Sequence, residues 1–325
     1  VDMAQDTLNL NVQLDTNEIA DLTLPYYSEV SGSGDFSGTV TGGFDNPKLS
    51  GKAHMSDFSL ESYAVDNFTA TFSYDKNLLA IQKAVFSSPK EEHAVHGDVS
   101  FPEAQDLFDL ASPVYNLNVS INNADFSRAL NVVSKDTPAK GNLKADVKID
   151  TKDSDLYISG HASLEHASVY SIPFDSASLA FSYGKEELHI KHATIKNGKS
   201  VLTAEGMFSH DKRFSYNVSS QRFLLKDLGL DHMPDDAVVK LQSQGNGTFQ
   251  DPTITLTAQV IGGSFEGRAI GSGAIEFIVK NKDIVLNAAL FNEKLILQGK
   301  GHLDERLPWS AQLTFHPGRY DFIIA

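Results

Sequence analysis

Eleven histidines and 42 carboxylates are the residues from which metal or acid–base chemistry could be built in this chain of 325 residues. His93 with His96 and His189 with His192 stand three apart, the spacing of one helical face. Both pairs lie in strand-patterned sequence, where residues three apart point to opposite faces and cannot share an ion. His161 and His166 fail for a similar reason. The adjacent acids Glu91–Glu92, Glu186–Glu187 and Asp235–Asp236 read as solvated turns with no partner for general acid or base work. Asp231 to Asp236 lacks the spaced acids, glycine and terminal glutamate of a calcium loop. Gly32 with Gly34, Gly245 with Gly247 and Gly271 with Gly273 begin a dinucleotide fingerprint, then miss its third glycine at Ser37, Gln250 and Glu276. They read as turns or bulges. With no cysteine and no Gly-x-Ser-x-Gly elbow, a thiol protease, a disulfide framework and a thiolate metal site are excluded. Asn67, Asn118, Asn217 and Asn246 fit glycosylation sequons, a pattern short enough to arise by chance. The expectation is a protein that is not an enzyme and uses no metal or cofactor.

Net charge is -15, against a nucleic-acid partner or a polybasic membrane-surface module. No stretch approaches the roughly 20 apolar residues of a membrane helix, and Val1 opens no signal peptide, so any anchor or export signal is expected outside this piece.

The elements carrying these residues are strands. Leu143, Ala145, Val147 and Ile149 alternate with Lys144, Asp146, Lys148 and Asp150. Leu117, Val119 and Ile121 alternate with asparagine and serine, as do Phe214, Tyr216 and Val218. Such period-two patterning marks half-buried antiparallel strands. One hairpin is written three times, as FSYDKNLLAIQKAVF from Phe72, FSYGKEELHIKHATI from Phe181 and FIVKNKDIVLNAALF from Phe277. After Ile81, Ile190 and Leu286 the apolar residues change parity, to Ala84, Ala193 and Ala289, which predicts a bulge in every copy. Gly97 and Gly206 align with Gly301 across a one-residue gap. Closing segments follow at Asn116, Ser215 and Ser310, and Leu8 opens a similar one. Short helices or turns are expected in DFSRALNVVSKD from Asp125 and RFLLKDLGLDHMPDD from Arg222, and short strands with glycine turns in the Gly/Ser-rich stretch from Ser28 to Pro47.

The chain therefore reads as an array of about 100-residue repeats sharing one continuous core. Residues 1–30 are the tail of a preceding repeat, 31–137 repeat 1, 138–235 repeat 2, and 236–325 an incomplete repeat 3. The fold class is all-β, a long curled antiparallel sheet with minor short helices. What recurs is an apolar surface: Phe72, Phe181 and Phe277; Leu79, Leu188 and Ile284; Ile81, Ile190 and Leu286. With Leu117, Val119, Ile121, Val147, Ile149, Phe214, Tyr216 and Val218 these are the candidate functional residues. Period-two patterning leaves two dispositions open, a core packed on a second layer or an open greasy trough.

The run GFDNPKLSGKAHMSDFSLES from Gly43, the copy SGHASLEHASVYSIPFDSASLAFSYGKEELHIKHATI from Ser159, the strand VLTAEGMFS from Val201 and the closing pattern from Val119 to Leu130 resemble repeats of the AsmA-like superfamily, of the TamB and YhdP type, over nearly the full chain. That resemblance implies a β-taco rod in the bacterial periplasm, part of an inner-membrane-anchored envelope protein. Its apolar groove would pass phospholipid acyl chains toward the outer membrane, with inner- and outer-membrane protein partners engaged outside this fragment. A spacer or partner-binding β-scaffold with a dry core, and a factor adding strands to outer-membrane barrels, are the rival readings.

Overall fold

A computed structural model describes residues 7–19, 30–44, 46–60, 63–103, 112–131, 138–228, 236–265, 268–304 and 306–317. The chain divides into two compact units, Val1–Asp125 with Leu143–His161, and Phe126–Asn142 with Ala162–Ala325.

The first unit is a meander of β1 (Thr7–Thr16), β2 (Val30–Gly43), β3 (Asn46–Leu60), β4 (Tyr63–Asp75), β5 (Leu78–Ser88), β6 (Glu91–Ser100) and β7 (Val114–Asp125). Each strand pairs antiparallel with the next in chain order. A helix, α1 (Phe126–Asn131), follows β7 within the segment that reads as a short helix. The hairpin β8 (Ala139–Lys152) and β9 (Asp155–Val169) is divided between the units, its 143–161 tip belonging to the first.

In the second unit β10 (Ile172–Gly184), β11 (Glu187–Asn197), β12 (Ser200–Ser209) and β13 (Arg213–Leu224) lead through a 3-10 turn at Leu225–Leu228 to β14 (Val238–Thr248) and β15 (Pro252–Gly262). A two-stranded flap, β16 (Ser264–Phe265) and β17 (Arg268–Ala269), is looped out, and β15 pairs directly with β18 (Gly273–Lys280). β19 (Asp283–Leu290), β20 (Leu295–His302) and β21 (Trp309–Phe315) complete the antiparallel meander. Among the described residues β1 pairs only with β2 and β21 only with β20, so the sheet does not close on itself.

The three hairpins lie where alternation puts them, at β4–β5, β10–β11 and β18–β19, each joined by a two-residue turn. Lys76–Asn77, Lys185–Glu186 and Asn281–Lys282 all have φ between 50° and 65°. That is the mirror-image turn whose twist matches the flanking strands, built here without glycine. The backbone N–H that follows the next strand then donates to the second turn residue in every copy: Phe101 to Asn77 O, His210 to Glu186 O and Leu303 to Lys282 O.

Three expectations need correction. The bulge is present in β5, between Ile81 and Ala84, and in β11, between Ile190 and Ala193, but β19 runs in unbroken register. There Ala288 and Leu290 continue the face of Leu286, and Ala289 lies on the other side. The glycine opposite Ile81 and Ile190 is Gly97 and Gly206, whereas Leu286 faces Gly299, so Gly299 and not Gly301 is the third equivalent. Finally, the Gly/Ser-rich stretch is not a set of short strands: it forms the single 14-residue strand β2. The ring of Phe36 lies across Gly38 and Gly51, where a Cβ would clash with it, and supplies the contact that the glycines lack. The parts of the segments 125–136, 222–236 and 310–322 at 132–136, 229–235 and 318–322 lie outside the described residues, as do Asp231 to Asp235.

Candidate functional site

Register alone sorts the side chains of each unit into two faces. In the first unit Phe36 pairs with Ala53, Ala53 with Ala70, Ala70 with Ala84 and Ala84 with Val95. The next row joins Gly51, Phe72, Ile81, Gly97 and Leu117, and the one beyond it Leu49, Tyr74, Leu79, Val99 and Tyr115. Val119 faces Val95, and Ile121 faces His93. Phe72 stacks on Phe36 with ring centroids 5.9 Å apart, and Phe68 lies 4.7 Å from Phe86. The opposite face of the same strands carries Ser37, Thr39, Ser50, Lys52, Thr71, Ser73, Asp98, His96, Asn116 and Asn118.

The second unit repeats this division. One row crosses eight strands as Phe181, Ile190, Gly206, Tyr216, Gly245, Ile254, Val279 and Ile284. A parallel row holds Val218, Ser243, Leu256, Phe277, Leu286 and Gly299. Leu188 and Phe214 border them through Phe208. Val147 and Ile149 lie on one side of β8, in step with Leu143 and Ala145. Apart from Val147 and Ile149 on β8, the candidate residues of each unit thus share a single face.

That face is not sealed. Phe214 and Ile284 are buried, at 7% and 9% exposure, while the other fifteen candidates remain half-buried. One small closed cluster does exist, Tyr74, Val99 and Phe101 with Leu49, Leu79, Tyr115 and Leu117 against it.

Several polar groups on the apolar side are satisfied locally. Tyr216 and Ser243 share a hydrogen bond of 3.1 Å, and Ser220 Oγ donates to Val201 O at 2.6 Å. His93 lies 3.6 Å from Glu91. It faces Ile121, whereas His96 faces Asn118, so that pair is split between the faces as its spacing requires. The expectation fails for His189 and His192. The bulge sets them opposite Ser182 and Ala180, on one face. They are engaged separately there, His189 with Glu187 at 3.2 Å and His192 with Thr194 at 3.0 Å. Among the described residues no group of three or more His, Asp or Glu could hold a metal, and no helix is long and apolar enough to cross a membrane.

Two hollows that the sequence reading missed lie on the polar side. The larger, about 660 Å³, is walled by Lys240, Gln242, Thr257, Gln259, Glu276, Asn287 and Gln298 over a floor of Leu241, Ala258, Ile275, Ala288 and Leu297. The smaller, about 560 Å³, has Ser37, Thr39, Ser50, Lys52, Thr71 and Gln82 over Gly38, Gly51 and Phe72. They follow from pairing: rows of polar side chains stand either side of a row whose side chains point the other way, leaving backbone between them. No protein family, curated protein or solved structure matches the chain.

Proposed function

We propose that the apolar face shelters the acyl chains of phospholipids, making this chain a segment of a lipid conduit and not an enzyme. The observation that carries the proposal is the unbroken succession of apolar rows in each unit, half-buried instead of enclosed. Each acyl methylene moved from water onto such a surface gains about 0.8 kcal/mol. A continuous face therefore lowers the barrier to moving a lipid through an aqueous gap, and the uniformity of the rows favours sliding over trapping. Phe72, Leu79, Ile81, Leu117, Val119 and Ile121 would line the path in the first unit. Phe181, Leu188, Ile190, Phe214, Tyr216, Val218, Phe277, Ile284 and Leu286 would line it in the second, with Val147 and Ile149 on the shared hairpin. The charged and amide side chains of the opposite face stay in water. The resemblance to AsmA-like repeats supports placing this path in a bacterial periplasm, between inner and outer membranes, within an anchored protein that engages membrane-protein partners elsewhere along its length.

The test is native mass spectrometry of the chain after gentle extraction, with photocrosslinking from Phe181, which faces Ile190. Copurifying phospholipid and a crosslink are expected. Leu188→Asp and Ile190→Asp should abolish the crosslink and leave the strand spectrum intact, because a half-buried site tolerates an acid that a closed core does not. A chain that stays free of added lipid, and unfolds on either substitution, is a scaffold with a dry core instead.

A further inference from the structure

In the second unit the apolar row of Val218, Leu256, Phe277 and Leu286 is interrupted by Ser243, which pairs with Val218 on one side and Leu256 on the other. Ser243 is 7% exposed. Two residues along β14, on the same side, Gly245 has no side chain, and the Tyr216 ring lies across it. The Tyr216 hydroxyl thereby comes to 3.1 Å from Ser243 Oγ, and either atom can donate. Tyr216 itself is half-buried, so the pair is within reach of a molecule lying on the face.

Each hydroxyl carries a single proton. When two hydroxyls bond to one another, one proton closes the bond and the other is left to give, whichever residue is the donor. Among the described residues neither Tyr216 nor Ser243 has a further hydrogen-bond partner. Thr39 and Ser50 form a similar pair at 3.0 Å, but on the polar face, where water takes the spare proton. Ser220, on the apolar side, has already given its proton to Val201 O. The Tyr216–Ser243 pair thus holds an unspent O–H donor among apolar neighbours. The repeat does not require it: Gly206 faces Tyr216, whereas the equivalent Gly97 and Gly299 face Leu117 and Ala311.

We infer that the Tyr216–Ser243 pair donates a hydrogen bond to the ester carbonyl of a diacyl lipid and so distinguishes ester-linked from ether-linked chains. The inference rests on the lipid reading and deepens it. A lipid lying over Val218, Leu256, Phe277 and Leu286 displaces the water that would otherwise accept the spare proton. An ester carbonyl, which only accepts, replaces the lost bond. An ether-linked chain of the same length lacks that carbonyl and leaves the donor buried and unpaired, the situation in which a site rejects a close analogue. A preference of this kind slows a passing lipid without trapping it.

The experiment offers the whole chain an equimolar mixture of a diacyl phosphatidylcholine and its dialkyl ether analogue, matched in chain length and held below micelle formation. Native mass spectrometry reads the ratio of the two bound forms. The wild-type chain should favour the diacyl lipid by roughly fivefold. The double variant Tyr216→Phe/Ser243→Ala, which removes both hydroxyls, should bring the ratio close to one. Ser220→Ala removes a hydroxyl whose proton is already spent and should leave the preference in place. Equal binding of the two lipids by the wild-type chain, a preference that survives in the double variant, or one lost equally in Ser220→Ala overturns this inference alone. A chain that binds neither lipid overturns the lipid reading and this inference with it.

Discussion

The hairpin pairs β10–β13 and β18–β21 are two versions of one sentence within one unit. The first carries a bulge at Lys191 and is covered on its far side by β14. The second has no bulge, and its last strand pairs with β20. Both nevertheless hold the same face, with Phe181 opposite Ile190 and Phe277 opposite Leu286. What the repeat preserves is the side on which apolar residues emerge; the number of residues needed to reach it is free to vary. An extra residue is harmless when it falls at a bulge, because pairing resumes in phase behind it.

Deletions test this most severely. Removing Asn287 from the regular copy should cost about 3 kcal/mol or more, since it turns Ala288 and Leu290 to the polar side. Removing Lys191 from the bulged copy should cost under about 1 kcal/mol, because Ile190, His192 and Ala193 then alternate in step with Gly206, Glu205 and Ala204. Chemical denaturation of the two deletants measures the contrast, and equal losses would break it.

A smaller difference is expected where rings cover glycines. A Cβ on Gly245 would stand 2.4 Å from the Tyr216 ring, held between β12 and β14, and one on Gly299 would stand 2.5 Å from Trp309 at the exposed edge. Gly245→Val should cost about 2 to 3 kcal/mol, and Gly299→Val about 1 kcal/mol, because Trp309 can swing outward. Thermal midpoints of the two variants give the comparison.

The turns should behave alike. Glu186→Gly and Lys282→Gly each relieve a left-handed residue, at φ 62° and 65°, and should each stabilise by about 0.5 kcal/mol. A large inequality in their denaturation midpoints would mean that the copies differ at the turn as well as at the bulge.

The smallest effect belongs to the β12–β13 turn of the bulged copy. The Ser209 hydroxyl, and then Arg213, whose Nε lies 2.6 Å from the carboxylate, hold Asp211 below the usual carboxylate range. A depressed carboxylate contributes above its unfolded pKa and loses that contribution as pH falls through the folded value. The denaturation midpoints of wild type and Asp211→Asn should therefore differ slightly at neutral pH and converge in acid. A gap that widens on acidification contradicts this.

Much of this was legible in sequence because alternation is local. Leu143–Ile149 and Leu117–Ile121 each announce a face without knowing their neighbours, and the apolar residues named on β4, β5, β7, β10, β11, β13, β18 and β19 fall into common rows within their unit. The regular register of the third copy, with no bulge, was not legible. Asn287-Ala288-Ala289-Leu290-Phe291 offers an apolar residue in either parity, and only cross-strand pairing with Leu297 and Leu295 selects Ala288 and Leu290. Gly299 and Gly301 were confused for the same reason, since both lie under Trp309. Strand β2 was hidden because its glycines read as turns until the Phe36 ring is seen lying across Gly38 and the facing Gly51.

The meander has a consequence for how the chain acquires its structure. Nearly every ladder within a unit joins strands adjacent in sequence, mostly through turns of a few residues, and the β15–β18 step spans only a small flap. All-β proteins usually fold slowly because strands must wait for distant partners. Here each strand finds its mate as soon as the next one emerges, so the ladder can grow from one end while the rest of the chain is still unstructured.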